Sequence, residues 1–319
     1  MLRRVTAINE AGVALAMDLS NPELSGLVVK KITGLGPADG VINTTALSTA
    51  DGNTYNSARI EERVIDLYLQ YYDVPSAVFD TDESTQYRQS IETIRQKTYE
   101  IFPIKYPVIL IFETDVRSLY IVGYVEKNTP EIFEAASNTV ISIRCPYPYF
   151  YGYDSNEGTR VIDFSSTNPE FQFAFENVGL LAPTLEMGDI QASQEKTVFY
   201  TGDAPVGVTI SIQASGPVKN IAVYNRTSQE VMRIDTAKLE TVMGSPFTSG
   251  DELIITTQRG GKSMYLLRGG ETTNVINALA RDADWIQIRK GGNILSFIAE
   301  EGQGNLIMKI SYKVIYEGV

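Results

Sequence analysis

The chain has 319 residues, enough for roughly two domains, and its 43% hydrophobic and 21% charged content is that of an ordinary globular protein. It contains no histidine, which excludes a Ser-His-Asp triad, a Cys-His dyad and every His-containing metal site. Its formal charge of −12 disfavours broad attraction to phosphate backbones.

Cys145 is the single cysteine, so no intramolecular disulfide can form and synthesis in a reducing compartment is expected. The start, MLRRVTAINE, has no apolar run behind its arginines, and no stretch approaches a membrane-spanning length. Neither a signal peptide nor membrane insertion is therefore expected.

In chain order, the first strand signal is 27–33 (LVVKKIT), rich in β-branched residues. The hairpin region 40–58 is polar at its tip and hard to register. Within 59–72, Ile65, Leu67, Leu69 and Tyr71 recur at period two, as on one face of a half-buried strand. The period then changes. Over 83–102, Tyr87, Ile91, Ile94 and Ile101 share one helical face, with Thr98 as its weak member. Asp80, Asp82, Glu83 and Ser84 are expected to cap this helix, and Pro103 to stop it. Arg88, Arg95 and Lys97 decorate its polar faces; they either face solvent or meet a neighbouring subunit.

Strands over 107–114, 117–125 and 139–144 complete the first half. The Tyr- and Pro-rich stretch 145–160 then turns polar and reads as a link between domains 1–152 and 153–319, each long enough to fold by itself. Beyond it, strands are expected at 208–213, 219–224, 230–234, 252–257, 263–268 and 294–299. Along 305–316, Leu306, Met308, Ile310, Tyr312, Val314 and Tyr316 face one way, with Ile307 and Ile315 as apolar exceptions. Short strands punctuated by Gly-Asp, Gly-Gly and Gly-Asn breaks predict an antiparallel β-sandwich. The expected fold is mainly β, with one clear α-helix.

Each candidate reaction centre fails a check of its chemistry. Gly261-Lys262-Ser263 resembles the end of a phosphate loop, but Thr256 stands where that motif needs glycine and a strand follows. Gly34, Gly36 and Gly40 miss the dinucleotide spacing. Asp80-Thr81-Asp82 opens like a calcium loop, yet Thr85 and Ile91 occupy the positions that need Gly and Glu. Asp282 and Asp284, beside the single tryptophan Trp285, could suggest glycoside hydrolysis, although paired carboxylates arise often by chance among 39 acidic residues. Trp285 alone could be a sugar-stacking platform or a core or rim aromatic. No enzyme, cofactor or metal is expected.

The order of turn signatures carries more. Gly202-Asp203 with Pro205, Asn225 with Thr227, Gly250-Asp251 before IITT, Gly261 with Ser263, Trp285, Gly291-Gly292-Asn293 and Tyr316-Glu317-Gly318 resemble the C-terminal domain of the siphophage distal tail protein family. In the first half the likeness rests on Ile32-Thr33-Gly34-Leu35, Asp51-Gly52, the arginine-bearing strand 59–69, the single helix and Pro146-Tyr147-Pro148-Tyr149-Phe150. The resemblance implies a structural virion protein of the tail tip, assembled in the bacterial host cytoplasm. Its N-terminal domain would build a hexameric ring and its C-terminal domain would be a galectin-like sandwich. Implied partners are the tail tube protein, the tail-tip hub or tail-associated lysin, and a receptor-binding protein. DNA would pass without stable binding. A carbohydrate- or receptor-binding sandwich protein and a tail-associated wall hydrolase are the alternatives.

Overall fold

A computed structural model describes residues 1–48, 51–72, 90–132, 137–153, 158–168, 189–192 and 195–319, with backbone only at 165–168 and 189–192. The chain divides into two compact units, one of residues 1–158 with 315–319, the other of residues 159–314. The boundary expected after residue 152 thus falls a few residues later. The last five residues, counted with the second half by sequence order, belong to the first unit.

The first unit runs β1 (Leu2–Asn9), β2 (Ala14–Asp18), β3 (Leu27–Ile32), β4 (Gly40–Ala46), β5 (Asn53–Ile60), β6 (Arg63–Tyr71), α1 (Ile91–Ile101), β7 (Pro107–Thr114), β8 (Ser118–Pro130), β9 (Asn138–Cys145) and β10 (Phe150–Gly152). Its main sheet is antiparallel, in the order β2-β1-β7-β8-β9-β6-β3, with β10 attached to β8. Period-two patterning sets the buried face. Ile65, Leu67, Leu69 and Tyr71 on β6, Leu119, Ile121 and Val125 on β8, and Ile141 and Ile143 on β9 are all buried.

Helix α1 lies against β1 and β6, burying Ile94, Thr98 and Ile101. Its N-cap is Ser90, whose hydroxyl accepts from the Thr93 amide at 3.3 Å, so the helix begins later than its expected start. Asp80, Asp82, Glu83, Ser84, Tyr87 and Arg88 lie outside the described residues. Thr98 is no weak member of the stripe. Its hydroxyl donates to the Arg95 carbonyl at 2.7 Å and sits 3.3 Å from the Tyr71 hydroxyl. Gly26, at φ +71°, lets Ile94 seat closely: a Cβ there would lie 2.4 Å from the Ile94 Cδ1.

The Tyr/Pro-rich segment is not a linker throughout. Phe150 packs edge-on to Phe112 at 5.8 Å, and Tyr151 stacks on Tyr120 at 5.2 Å and Tyr147 at 5.6 Å, all within the first unit.

The second unit runs β11 (Thr159–Asp163), β12 (Ser165–Asn168), β13 (Asp189–Ala192), β14 (Glu195–Tyr200), β15 (Val206–Gly207), β16 (Thr209–Ala214), β17 (Lys219–Asn225), β18 (Glu230–Ile234), α2 (Thr236–Met243), β19 (Glu252–Thr256), β20 (Ser263–Arg268), β21 (Glu271–Asn274), β22 (Gln287–Ile288), β23 (Gly291–Glu301) and β24 (Leu306–Lys313). A six-stranded sheet, β11-β24-β16-β19-β20-β21, and a four-stranded sheet, β14-β23-β17-β18, are both antiparallel. Aromatic pairs join their inner faces: Tyr200 to Tyr312 at 5.8 Å and Phe164 to Phe297 at 5.7 Å. This is the expected sandwich.

Two expectations change here. Among the described residues the single helix becomes two, because Asp235 caps α2 through the Ala237 and Lys238 amides and Gly244, at φ +72°, ends it. With only Thr236 and Leu239 buried, α2 has too short an apolar stripe for periodicity to reveal it. The expected strand 305–316 is also broken. Val314, Ile315 and Tyr316 are buried in succession, because the chain leaves β24 and forms β25 (Ile315–Tyr316), which pairs with β10.

Candidate assembly surface

The polar stretch that is hard to register is a ribbon. Strands β4 and β5 pair only with each other among the described residues, from Gly40↔Ile60 to Ala46↔Asn53, with an irregularity between Asn43 and Thr44. Thr, Asn and Ser predominate because neither face meets a core. The side chains instead bond across the strands, Asn43 to Ser57 at 3.0 Å and Asn56 to Thr45 at 2.6 Å. Ile42 and Tyr55 are nonetheless 66% and 64% exposed, and Leu47 and Ile60 are exposed as well. A solitary two-stranded hairpin is only marginally stable in water. This one combines polar ladders with stranded apolar side chains, a combination suited to docking.

At the base of the ribbon sits a residue that site reasoning missed. Arg63 is 3% exposed and occupies the inward parity of β6, in line with Ile65 and Leu67. Its guanidinium donates to the carbonyls of Gly34, Gly36, Pro148 (2.7 Å) and Glu317 (2.7 Å), and lies 4.5 Å from the centre of the Phe150 ring. The glycine-rich loop therefore serves an arginine rather than a nucleotide. Gly34, at φ +79°, closes on β6, where a Cβ would meet the Val64 carbonyl oxygen at 2.1 Å. The sequence signal was available: a charged residue in register with an apolar face. Beside Arg63, burial pushes the Cys145 thiol up to about 12, with the guanidinium charge opposing it.

The other predicted residues do not converge. On α1, Arg95 and Lys97 are half-buried; Arg88 lies outside the described residues. In the second unit, Trp285 is half-buried, with the Lys262 ammonium 5.0 Å from its ring centre. Asp282 is exposed and pairs with Arg233 at 3.3 Å. Asp284 accepts from the Val231 amide at 3.1 Å and returns its own amide to the Val231 carbonyl. Both carboxylates thus belong to the β18 edge and do not face each other across a cleft. Gly260 and Gly261 form the turn joining the paired strands β19 and β20, so QRGGK is a hairpin connection. Among the described residues, no group of three His, Cys, Asp or Glu side chains could hold a metal ion, and no helix is long and apolar enough to cross a membrane.

Three residues of the turn signatures, Asn225, Asp251 and Asn293, are buried anchors. Asn225 Nδ2 donates to the Gln287 carbonyl at 2.8 Å, while its Oδ1 accepts from the Thr227 amide at 3.1 Å. Asn293 exchanges hydrogen bonds with the Arg289 backbone at 3.0 and 2.7 Å. Asp251, 3% exposed, takes a two-pronged ion pair from Arg268 at 2.7 and 2.6 Å and a 2.9 Å bond from the Thr248 amide. Burial alone would raise the Asp251 carboxyl; these hydrogen bonds and the guanidinium charge hold it below the ordinary range.

No family model matches the sequence, and no curated protein does. Among solved structures the chain is similar to the SPP1 Dit (gp 19.1) protein, called a paradigm of hub adsorption apparatus in Gram-positive infecting phages. The TM-score is 0.58 at 13% identity, covering 98% of each chain. The phage p2 baseplate in its activated conformation with Sr aligns at a TM-score of 0.41 and 11% identity, over 98% of this chain and 99% of that one. The first likeness establishes that the chain has the fold of SPP1 Dit.

Proposed function

We propose that this chain is a structural component of a phage tail, a ring-forming adaptor at its distal end. The observation that carries the reading is the fold shared with a phage hub protein along nearly the whole length of both chains. The ribbon β4–β5 supports it as a surface that an isolated monomer has no use for. The buried, turn-fixing roles of Asn225, Asp251 and Asn293 support a scaffold over a catalyst.

In this reading six copies close a ring through heterologous contacts, with the first unit as the ring-forming part and the ribbon as one of its contacts. The ring joins the tail tube to the tail-tip hub or tail-associated lysin and carries a receptor-binding protein. Six chains of charge −12 let DNA pass without gripping its phosphates.

Light scattering and negative-stain images of the purified chain, alone and with its tail-tube neighbour, are expected to show closed six-membered rings. Monomers under both conditions would sink the proposal. Ile42→Lys with Tyr55→Lys should abolish rings while leaving the monomer folded, since both side chains are already exposed. A gel shift at about 150 mM salt should detect no duplex DNA binding.

A further inference from the structure

The first unit incorporates a short strand that follows the whole second unit in sequence. Strand β25 pairs with β10 through Phe150↔Tyr316 and Tyr151↔Ile315, and Ile315 and Tyr316 are both buried. Two arginines then hold the backbone that follows. Arg63 donates to the Glu317 carbonyl at 2.7 Å; Arg117 donates to the Gly318 carbonyl at 3.1 Å, with its guanidinium 4.5 Å from the centre of the Tyr316 ring. The Val319 amide donates to the Leu35 carbonyl at 3.0 Å. Gly318 packs so closely that a Cβ would lie 3.0 Å from the Leu35 oxygen. Every partner of these five residues named here comes from residues 34–152.

We infer that the first unit contains a built peptide-binding site, formed by β10, the loop 34–36, Arg63 and Arg117, whose occupant is the chain's own segment 315–319. The recognition is chemical as well as geometric. Carbonyls at 317 and 318 meet guanidinium donors, the Tyr316 ring lies under a cation, and the strand edge of β10 is completed by main-chain pairing. Without the segment, Arg63 keeps a buried N–H with no acceptor and β10 presents an open edge.

The first unit is therefore incomplete at residue 158. It closes only after residues 159–314 have been made and the chain has returned. If the proposed ring is correct, its assembly waits for the second unit, so rings recruit only chains that carry both. That last step rests on the proposed function; the site itself does not.

The test is hydrogen exchange on full-length chain kept monomeric by dilution. It compares the wild type with Tyr316→Ala, Arg117→Met and a chain ending at residue 314. Peptides covering 148–152, and in the point variants those covering 315–319, should exchange roughly tenfold to a hundredfold faster than in the wild type, the range expected for losing a charge-assisted hydrogen bond. Peptides of β16 and β19 should stay at wild-type rates. If the shortened chain is insoluble, the two point variants still give the reading. Wild-type protection of 148–152 and 315–319 in both point variants would overturn the inference. So would equal loss across β16 and β19, which would mark a general destabilisation. Either result would leave the ring proposal standing, because the experiment never requires a ring.

Discussion

Each unit anchors an arginine, buried in the first and a quarter exposed in the second, and the two are held in opposite ways. Arg63 satisfies its guanidinium with backbone carbonyls from positions 34, 36, 148 and 317, segments far apart in the chain. Arg268 turns to one nearby carboxylate, Asp251, with the Pro246 carbonyl and Ser245 hydroxyl alongside. The first arrangement ties distant segments together without using a titratable acceptor. The second fixes a local turn at β19 and depends on a carboxylate staying ionised. The first unit's integrity is thus a matter of long-range closure and the second's a matter of charge. Two reporters separate them: Cys145 is buried in the first unit, and Trp285, the single tryptophan, lies in the second.

The largest effect should come from Arg63→Met. It strips donors from four carbonyls in a buried setting, for a loss of about 4 kcal/mol. Cys145 should then react with thiol reagents under conditions where the wild-type thiol, raised by burial, is inert, while the Trp285 melting curve stays in place. A matching fall in the Trp285 transition would show that the units melt as one and remove the contrast.

Asp251→Asn comes next. It breaks a pair whose carboxylate is buried but whose arginine is a quarter exposed, so a loss of about 2–3 kcal/mol is expected, below the range for a fully buried pair. Thermal melts followed at Trp285 should move, and Cys145 labelling should not. Unchanged Trp285 melting would mean that the Arg268 pair contributes nothing net.

Acid sharpens the same contrast. The Asp251 carboxyl is held below its ordinary value of 3.8 in the folded chain, so its contribution is complete above that value and is lost as pH falls through the lower folded value. In the first unit, Asp115 is lowered by hydrogen bonds from the N-terminus and Arg3, and Asp18 by the Ser20 amide first and then by Asn21 and Arg4, but both sit at the surface. Added salt should screen those two and spare Asp251. Acid unfolding monitored at Trp285 should accordingly shift little between low and high salt; a large shift would place Asp251 among screened surface charges.

The smallest effect is expected from Lys262→Ala, which uncovers the Trp285 ring. A loss under about 1 kcal/mol should accompany a change in Trp285 emission. Glycan binding that appears on this variant and vanishes in Trp285→Ala would revive the sugar-stacking reading.

Much of this organisation was legible in the residues. Alternation alone placed the buried faces of β6 and β24, because a half-buried strand repeats every two residues whatever sheet receives it. The helix was visible through Ile91, Ile94 and Ile101, and the sandwich through the spacing of its turns. The helix start was less legible, because four acidic or hydroxyl residues before it offered caps and Ser90 was not singled out. Helix α2 escaped because two buried residues make no stripe, although Asp235 and Gly244 marked both its ends.

What tertiary structure alone decided is which distant segments meet. Local periodicity reports the face a residue turns inward and carries no information about the partner across the sheet. So Arg63 was readable as an inward charge, but its acceptors at 34, 36, 148 and 317 were not. The same holds for the end of the chain. Leu306 to Tyr316 reads as one strand, and only the pairing of Ile315 and Tyr316 with β10 shows that the alternation ends where the chain passes from the second unit's core to the first's.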